Sequence, residues 1–455
     1  MQEENRNSDV LGRILGPFTK VKPGEAVTVL LMTFNIFLIL AAYYMLKSAR
    51  EGILSLEPRG AELASYGSAF MAVLLIPIVR GYGALAERYP RRKLIAVITS
   101  IFIVNLVLFF VFAKIGLPYL GLVYFIWVGI FSNMIIAQFW AYANDIYEPE
   151  QGERLFPLIQ VGQSVGAILG PLAASFVAKA INVWFLLLVA AAILGGYILL
   201  NTWVDRRQVA AGHEGDAQRP AAQPLGNDGG FQLVWKHNYL LYIALLILVL
   251  NVVNTTGEYL LRSSVYDAAR TAAQGAEQSA EAIQNFSVSF YSQFYFWVNL
   301  LGLLFQAFLV SRILKVFGVR KALFIPALVA LMGYFAIAIV PILAVVRVVK
   351  TFDNSQDYSL MNTLRSALYL PTTREVKYKA KQAIDTFFVR LGDVFSALLV
   401  AAGIHLFAFG TRGFSAMAIG FVVIWLLLAL AIGREHRRIA TPKPQPDPKA
   451  AEATV

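Results

Sequence analysis

Apolar residues run along the chain in long blocks, broken by short polar segments that carry most of the charge. A helix needs about 20 predominantly apolar residues to cross roughly 30 Å of hydrocarbon. Twelve segments meet that requirement, near 26–47, 63–85, 93–113, 118–143, 157–180, 184–204, 239–261, 286–311, 322–343, 344–369, 383–408 and 413–433. Val183–Leu200 and Phe414–Gly433 contain no charged residue at all. The tenth block is the weakest, because Arg347, Lys350, Asp353, Asp357 and Arg365 fall inside it. The pattern predicts an all-α membrane protein with twelve transmembrane helices.

Composition narrows the function. Only 15% of the 455 residues are charged, against about 25% in soluble domains, and the mean hydropathy is +0.61. These figures exclude an ordinary soluble domain, a disordered chain and a small disulfide scaffold. The chain has no cysteine, which removes thiol catalysis, Cys-zinc sites and iron–sulfur clusters. Its four histidines, His213, His237, His405 and His436, have no ligand spacing. With no Gly-Lys dipeptide there is no Walker A loop, so this chain alone is not an ATP-hydrolysing pump. No catalytic constellation and no cofactor site is expected.

Charge sets the predicted orientation through the positive-inside rule. Arg88, Arg91, Arg92 and Lys93 lie between spans two and three, and Arg206, Arg207 and Lys236 flank the break between six and seven. Arg312, Lys315, Arg320 and Lys321 follow span eight, and Arg374, Lys377, Lys379 and Lys381 follow span ten. The alternate loops are poor in Lys and Arg; the longest, Ser263–Asn285, carries Arg270 against Asp267, Glu277 and Glu281 and reads as a short solvated helix. Both termini are therefore expected in the cytoplasm. The residues before span one, with Arg6, Arg13, Lys20 and Lys22, do not read as a removable signal peptide. The net charge of +11 is mostly this topology signal, not a nucleic-acid-binding surface.

One polar linker, with Gly212-His213-Glu214-Gly215-Asp216 near its centre, splits the spans into two sets of six. The expected organisation is an N-terminal half at 1–204, a cytoplasmic linker at 205–237, a C-terminal half at 238–433 and a tail at 434–455. Basic segments after spans two and eight, ending at Lys93 and Lys321, echo one another about half the chain apart. Repeated six-span halves place a substrate site between them near the midplane.

Charges within spans mark that site. A Lys or Arg at the bilayer centre costs about 2.5–3.5 kcal/mol, so Arg80, Arg347, Lys350, Arg365 and Arg390 need water, acidic partners or a ligand. In span ten Arg347, Lys350, Asn354, Asp357 or Tyr358, Met361 and Arg365 recur at helical spacing and form one stripe. Such a stripe lines a cavity, or pairs Arg347 or Lys350 with Asp385 or Asp393 of span eleven. If the first helix continues, Lys47 and Arg50 share a face with Tyr43 and Tyr44; they hold a phosphorylated aromatic ligand or serve as interfacial anchors. Gly162, Gly166 and Gly170 in span five have the small-xxx-small spacing of close helix packing.

Two resemblances add to this. Gly83-Ala84-Leu85-Ala86-Glu87-Arg88, running to Arg91-Arg92-Lys93, resembles the loop two–three signature of the major facilitator superfamily, with Glu87 for the usual Asp and Pro90 for the usual Gly. The resemblance implies a conformational latch at Gly83, Glu87, Arg88, Arg91 and Arg92. Gly166-Ala167-Ile168-Leu169-Gly170-Pro171 loosely resembles the antiporter motif of that superfamily. Lys47-x-x-Arg50-Glu51, Phe139-Trp140-Ala141-Tyr142-Ala143-Asn144-Asp145, Gly257-Glu258 through Arg262 and Asn362 through Glu375 are similar to segments of the ATP/ADP translocases. Those proteins typically carry a Lys where Asp393 follows Arg390-Leu391-Gly392, and a Lys where Arg50 stands, which points to a branch with a different substrate.

The expected function is a secondary transporter moving nucleotides or related organic anions by alternating access, as an exchanger, in a bacterial inner membrane. Lys47, Arg50, Arg347, Lys350 and Arg390 would contact phosphate. Glu258, Asp145, Asp385 and Asp393 would pair those cations or couple protons, with Asn354 and Asp357 lining the same site. Tyr43, Tyr44, Phe139, Trp140 and Tyr295 are candidates to stack on a base. The expected partners are a small-molecule substrate and membrane lipid, with a monomer favoured. A proton-coupled carrier of another solute and a non-transporting sensor on the same fold remain alternatives.

Overall fold

The computed structural model describes residues 22, 25–210, 229–274, 279–373 and 375–440. They form helices and short connections. Spans one to six are the helices Glu25–Leu54, Gly60–Arg88, Arg91–Ile115, Leu120–Ile146, Pro149–Ala180 and Phe185–Ala210. Span seven is Asn238–Ala272, span eight Ser279–Ala322, span eleven ends in Val389–His405 and span twelve is Thr411–Ala440. Among the described residues, ten helices are long and apolar enough to cross a membrane. The shorter Phe324–Ile339 makes the ninth span, and the tenth is split as Leu343–Gln356, the π-helical turn Asp357–Met361 and Asn362–Leu368. An even number of crossings puts Glu25 and Ala440 at one face, the terminal face; the opposite one is the far face.

The expected spans are all present, and most helices outrun them. Span seven continues to Ala272 and the next helix starts at Ser279, so the supposed Ser263–Asn285 loop is mainly two helix ends. They are not simply solvated, because Val265, Tyr266 and Ala269 are buried. The predicted linker also shrinks: span six runs to Ala210, and Gly230–Lys236 forms a short helix before span seven. Gly212–Asp216, the tail beyond Ala440, Arg374 and the basic residues before Lys22 lie outside the described residues.

Within the first half, span one packs along span five because glycines let the backbones meet. A Cβ on Gly166 would stand 2.5 Å from the Phe37 carbonyl oxygen, one on Gly170 2.6 Å from that of Ala41, and one on Gly162 would collide with the Thr33 carbonyl. Small-xxx-small packing is thus the role of this motif in the structure.

The halves meet through spans one and five against eight, and two against eleven. At mid-depth the Tyr44 hydroxyl donates to Asn299 Oδ1 at 3.0 Å, and Asn299 Nδ2 donates to the Ala167 carbonyl at 3.0 Å. Toward the far face, Arg270 donates to the Glu57 carbonyl and His405 pairs with Glu62 at 2.7 Å. Toward the terminal face, Cβ atoms on Gly81 and Gly83 of span two would meet nothing within 4 Å. The far side is closed between the halves.

Candidate functional site

Span seven organises the site. Asn251, Asn254, Glu258 and Arg262 recur at intervals of three and four residues, so they share one helix face. That face meets span ten first. Lys350, with no solvent exposure, donates to Asp353 Oδ2 at 2.7 Å and to Asn254 Oδ1 at 3.0 Å. Its Nζ is 4.0 Å from Glu258 Oε1, which also accepts from Asn354 Nδ2 at 2.9 Å. A buried ammonium is tolerated only with such partners.

One turn further toward the far face, the same stripe crosses between halves. Glu51 of span one has no exposed surface. It accepts from Arg50 Nε at 3.1 Å and from Arg262 Nε and Nη2 at 2.9 and 3.3 Å. The Tyr266 and Tyr295 hydroxyls donate to it at 3.0 and 3.5 Å. Arg50 lies over the Phe125 ring at 4.5 Å. Arg262 also reaches Glu258 at 3.8 Å, linking the two clusters.

Lys47 sits one turn nearer mid-depth and is partly exposed. Its ammonium lies 4.3, 5.2 and 5.8 Å from the ring centroids of Tyr295, Tyr44 and Tyr43. Among the described residues it has no carboxylate within 4.0 Å. Tyr358 of span ten is 45% exposed yet within electrostatic reach of Tyr43, Tyr44 and Glu258, so it lines space between the halves rather than their core.

The structure therefore brings together Lys47, Arg50, Glu258, Lys350 and Asn354, with Asp357 beside Asn254 and Asp353, and separates the rest. Arg347 stands near the far end of span ten, donating to Gln293 at 3.1 Å and lying over Phe290. Asp357 begins a π-helical turn and faces Arg365 at 3.9 Å. Asp385 pairs with Lys381 at 2.8 Å, so the expected pairing of Arg347 or Lys350 with span eleven does not form. Arg390 pairs with Asp393 at 3.1 Å, and Asn251 donates to Asp393 at 2.7 Å. That pair touches the same face of span seven, two turns below Glu258. Asp145 is exposed at the terminal end of span four, the end opposite Glu51. Phe139 and Trp140 meet edge to face, and Trp140 meets Phe156 in the same way within the first half, away from Lys47.

In the expected latch, Gly83, Glu87 and Arg88 are exposed, and Glu87 and Arg88 have no ion-pair partner among the described residues. The side chains of Arg91 and Arg92 lie outside the described ones. Glu51, Arg262, Tyr266, Asp353, Asn254 and Asn299 were not singled out as site residues. The spacing of polar residues on span seven was a readable signal for Asn254 and Arg262. Glu51 is marked in the sequence only as the acidic member of the Lys47-x-x-Arg50-Glu51 segment that resembles the translocases.

The Major Facilitator Superfamily profile matches residues 26–349. The ADP,ATP carrier protein 1 of Chlamydia pneumoniae is 24% identical over 307 residues, covering 59% of this chain and 57% of the relative. That of Chlamydia muridarum is 24% identical over 373 residues, 71% of this chain and 66% of the relative. The chain thus spans less than two thirds of the length of these carriers. Among solved structures, a bacterial homologue of the iron transporter ferroportin in an inward-facing state superposes with a TM-score of 0.64 at 9% identity, covering 89% of this chain and 98% of that one. A variant of the nucleoside transporter NupG gives 0.59 at 13% identity, covering 91% and 99%. At such identities these structures support the fold alone. With twelve spans in two halves, a charged site between them and a matching profile over most of its length, the chain belongs to the major facilitator superfamily of membrane transporters.

Proposed function

We propose that this transporter exchanges nucleotide-type organic anions by alternating access, from a bacterial inner membrane with both termini in the cytoplasm. The observation that carries this reading is Lys47: a partly exposed ammonium, ringed by Tyr43, Tyr44 and Tyr295, with no carboxylate within 4.0 Å among the described residues, just inside the closed far side. A cation among aromatic rings suits a ligand with a phosphate and a flat base. The chlamydial relatives carry ADP and ATP in their names, which agrees. Opening to the far face requires Glu51 to part from Arg262.

Proteoliposomes holding the full chain test this with radiolabelled AMP, ADP and ATP, with and without internal nucleotide. Uptake that needs internal nucleotide and falls at least tenfold in Lys47→Gln is expected. Absence of nucleotide flux from folded protein would sink the nucleotide reading, and a flux driven by a proton gradient without internal nucleotide would sink exchange.

A further inference from the structure

The charges around the site nearly cancel, and what remains measures the ligand. Among the described residues, four cations converge there: Lys47, Arg50, Arg262 and Lys350. Three carboxylates face them: Glu51, Glu258 and Asp353. Arg50 and Arg262 are held by Glu51, Arg262 again by Glu258, and Lys350 by Asp353 and Glu258. The surplus is one positive charge, and it is Lys47. Neighbouring charges add nothing to it: Arg390 is matched by Asp393, and Arg365 faces Asp357. Arg347, at the far end of span ten, bonds to span eight outside this group.

Resting on the nucleotide reading above, we infer that the site selects a ligand with a single phosphate group over di- and triphosphates. One phosphomonoester carries about 1.5 to 2 negative charges at neutral pH, close to what the partly exposed Lys47 balances with help from solvent. Each further phosphoryl group adds charge that would have to draw Arg50, Arg262 or Lys350 from buried carboxylates. Those carboxylates would then be left unpaired in a medium where an isolated charge is strongly disfavoured. Asp393 fixes the outcome from two turns below. It pairs with Arg390, whose side chain is 30% exposed, so that this cation too is matched.

The test is a binding series on the full chain purified in detergent, using adenosine, AMP, ADP and ATP and the matching guanosine compounds, read by calorimetry. AMP or GMP binding at least tenfold tighter than both its nucleoside and its triphosphate is expected. Lys47→Gln should erase the advantage of monophosphate over nucleoside. Asp393→Asn, which releases Arg390, should shift preference toward the diphosphate. Triphosphate binding as tightly as monophosphate in the unaltered chain would overturn the charge argument while leaving nucleotide transport standing. Nucleoside binding as tightly as monophosphate would overturn the role of Lys47. Failure of the whole series would overturn both readings.

Discussion

Two buried ion-pair clusters lie end to end on span seven, and they differ in what they hold together. The Lys350 cluster, with Asp353, Asn254 and Glu258, draws every member from spans seven and ten of the second half. The Glu51 cluster joins span one of the first half to spans seven and eight of the second, through Arg262, Tyr266 and Tyr295. Alternating access moves one half against the other, so the Lys350 cluster can ride through the cycle intact while the Glu51 cluster must break and re-form. Both are largely buried and well paired, yet one serves as internal scaffold and the other as a fastener whose strength sets the balance of states. The chain contains no native cysteine, so single introduced thiols can report that balance directly.

The strongest way to break the comparison is Glu51→Gln. It leaves Arg50 and Arg262 facing each other without their shared carboxylate. Removing one partner of a buried pair costs about 3–5 kcal/mol, and that cost falls on the closed state alone if water reaches the arginines when the far side opens. The expected result is a shift of about two to three and a half orders of magnitude toward the far-open state. Ser287→Cys is the reporter, because Ser287 is fully buried near the far end of span eight. Its labelling from the far side should rise sharply in Glu51→Gln. Unchanged labelling would show that Glu51 does not fasten the halves.

Lys350→Met makes the contrasting prediction. Asp353 and Glu258 lose their ammonium in every state of the cycle, so stability falls, by about 3 kcal/mol at the lower end of the range for a broken buried pair. Thermal unfolding should show this loss, and adding Asp353→Asn should recover part of it. Ser287→Cys labelling should stay at its original rate. If it rises as it does for Glu51→Gln, the two clusters act as one and the distinction between scaffold and fastener fails.

A smaller effect is expected where packing, not charge, joins helices. In Gly166→Ala the new methyl meets the Phe37 carbonyl oxygen and the Leu40 side chain, pushing spans one and five apart within one half. Overpacking of this kind costs about 1–3 kcal/mol. Denaturation of the purified chain should show that loss, with far-side labelling of Ser287→Cys unaltered; a rise in labelling would mean that the two helices do not move as one unit.

The fold was legible in the sequence because a hydrophobic stretch that spans a membrane is a local property. The site was only partly legible, for two physical reasons. The stripe on span ten has even spacing in sequence, but the π-helical turn at Asp357–Met361 adds a residue to one turn. The turn changes the phase of the residues after it, so Arg365 no longer continues the face of Lys350 and Asn354 as its spacing implies, while Asp357, at its start, stays beside Asn254 and Asp353. Arg347 belongs to the stripe by spacing, yet it lies at the far end, where the helix meets span eight rather than the space between the halves. Glu51 was hidden for a different reason. At the end of an apolar span an acidic residue looks like a solvated terminus, and its partner Arg262 is 211 positions away. Its burial comes from the helix continuing to Leu54 and from span seven extending beyond its apolar block to Ala272.

The far face has a second, weaker fastener, and it gives the smallest effect. His405 Nε2 at the end of span eleven lies 2.7 Å from Glu62 Oε1 in the first turns of span two. The Tyr66 hydroxyl donates to the same oxygen at 2.6 Å, and Arg59 stands 3.8 Å from the other. Tyr259 of span seven is the further titratable neighbour of this carboxylate. One side-chain contact thus joins span eleven of the second half to span two of the first, and removing it should loosen the far side. His405 is half exposed, so solvent screening limits the contribution to about 0.3–1 kcal/mol, the range of surface pairs. Far-side labelling of Ser287→Cys should rise about two- to fivefold in His405→Ala. Unchanged labelling would show that the contact with Glu62 does not help to close the far side, leaving the Glu51 cluster as the principal fastener between the halves.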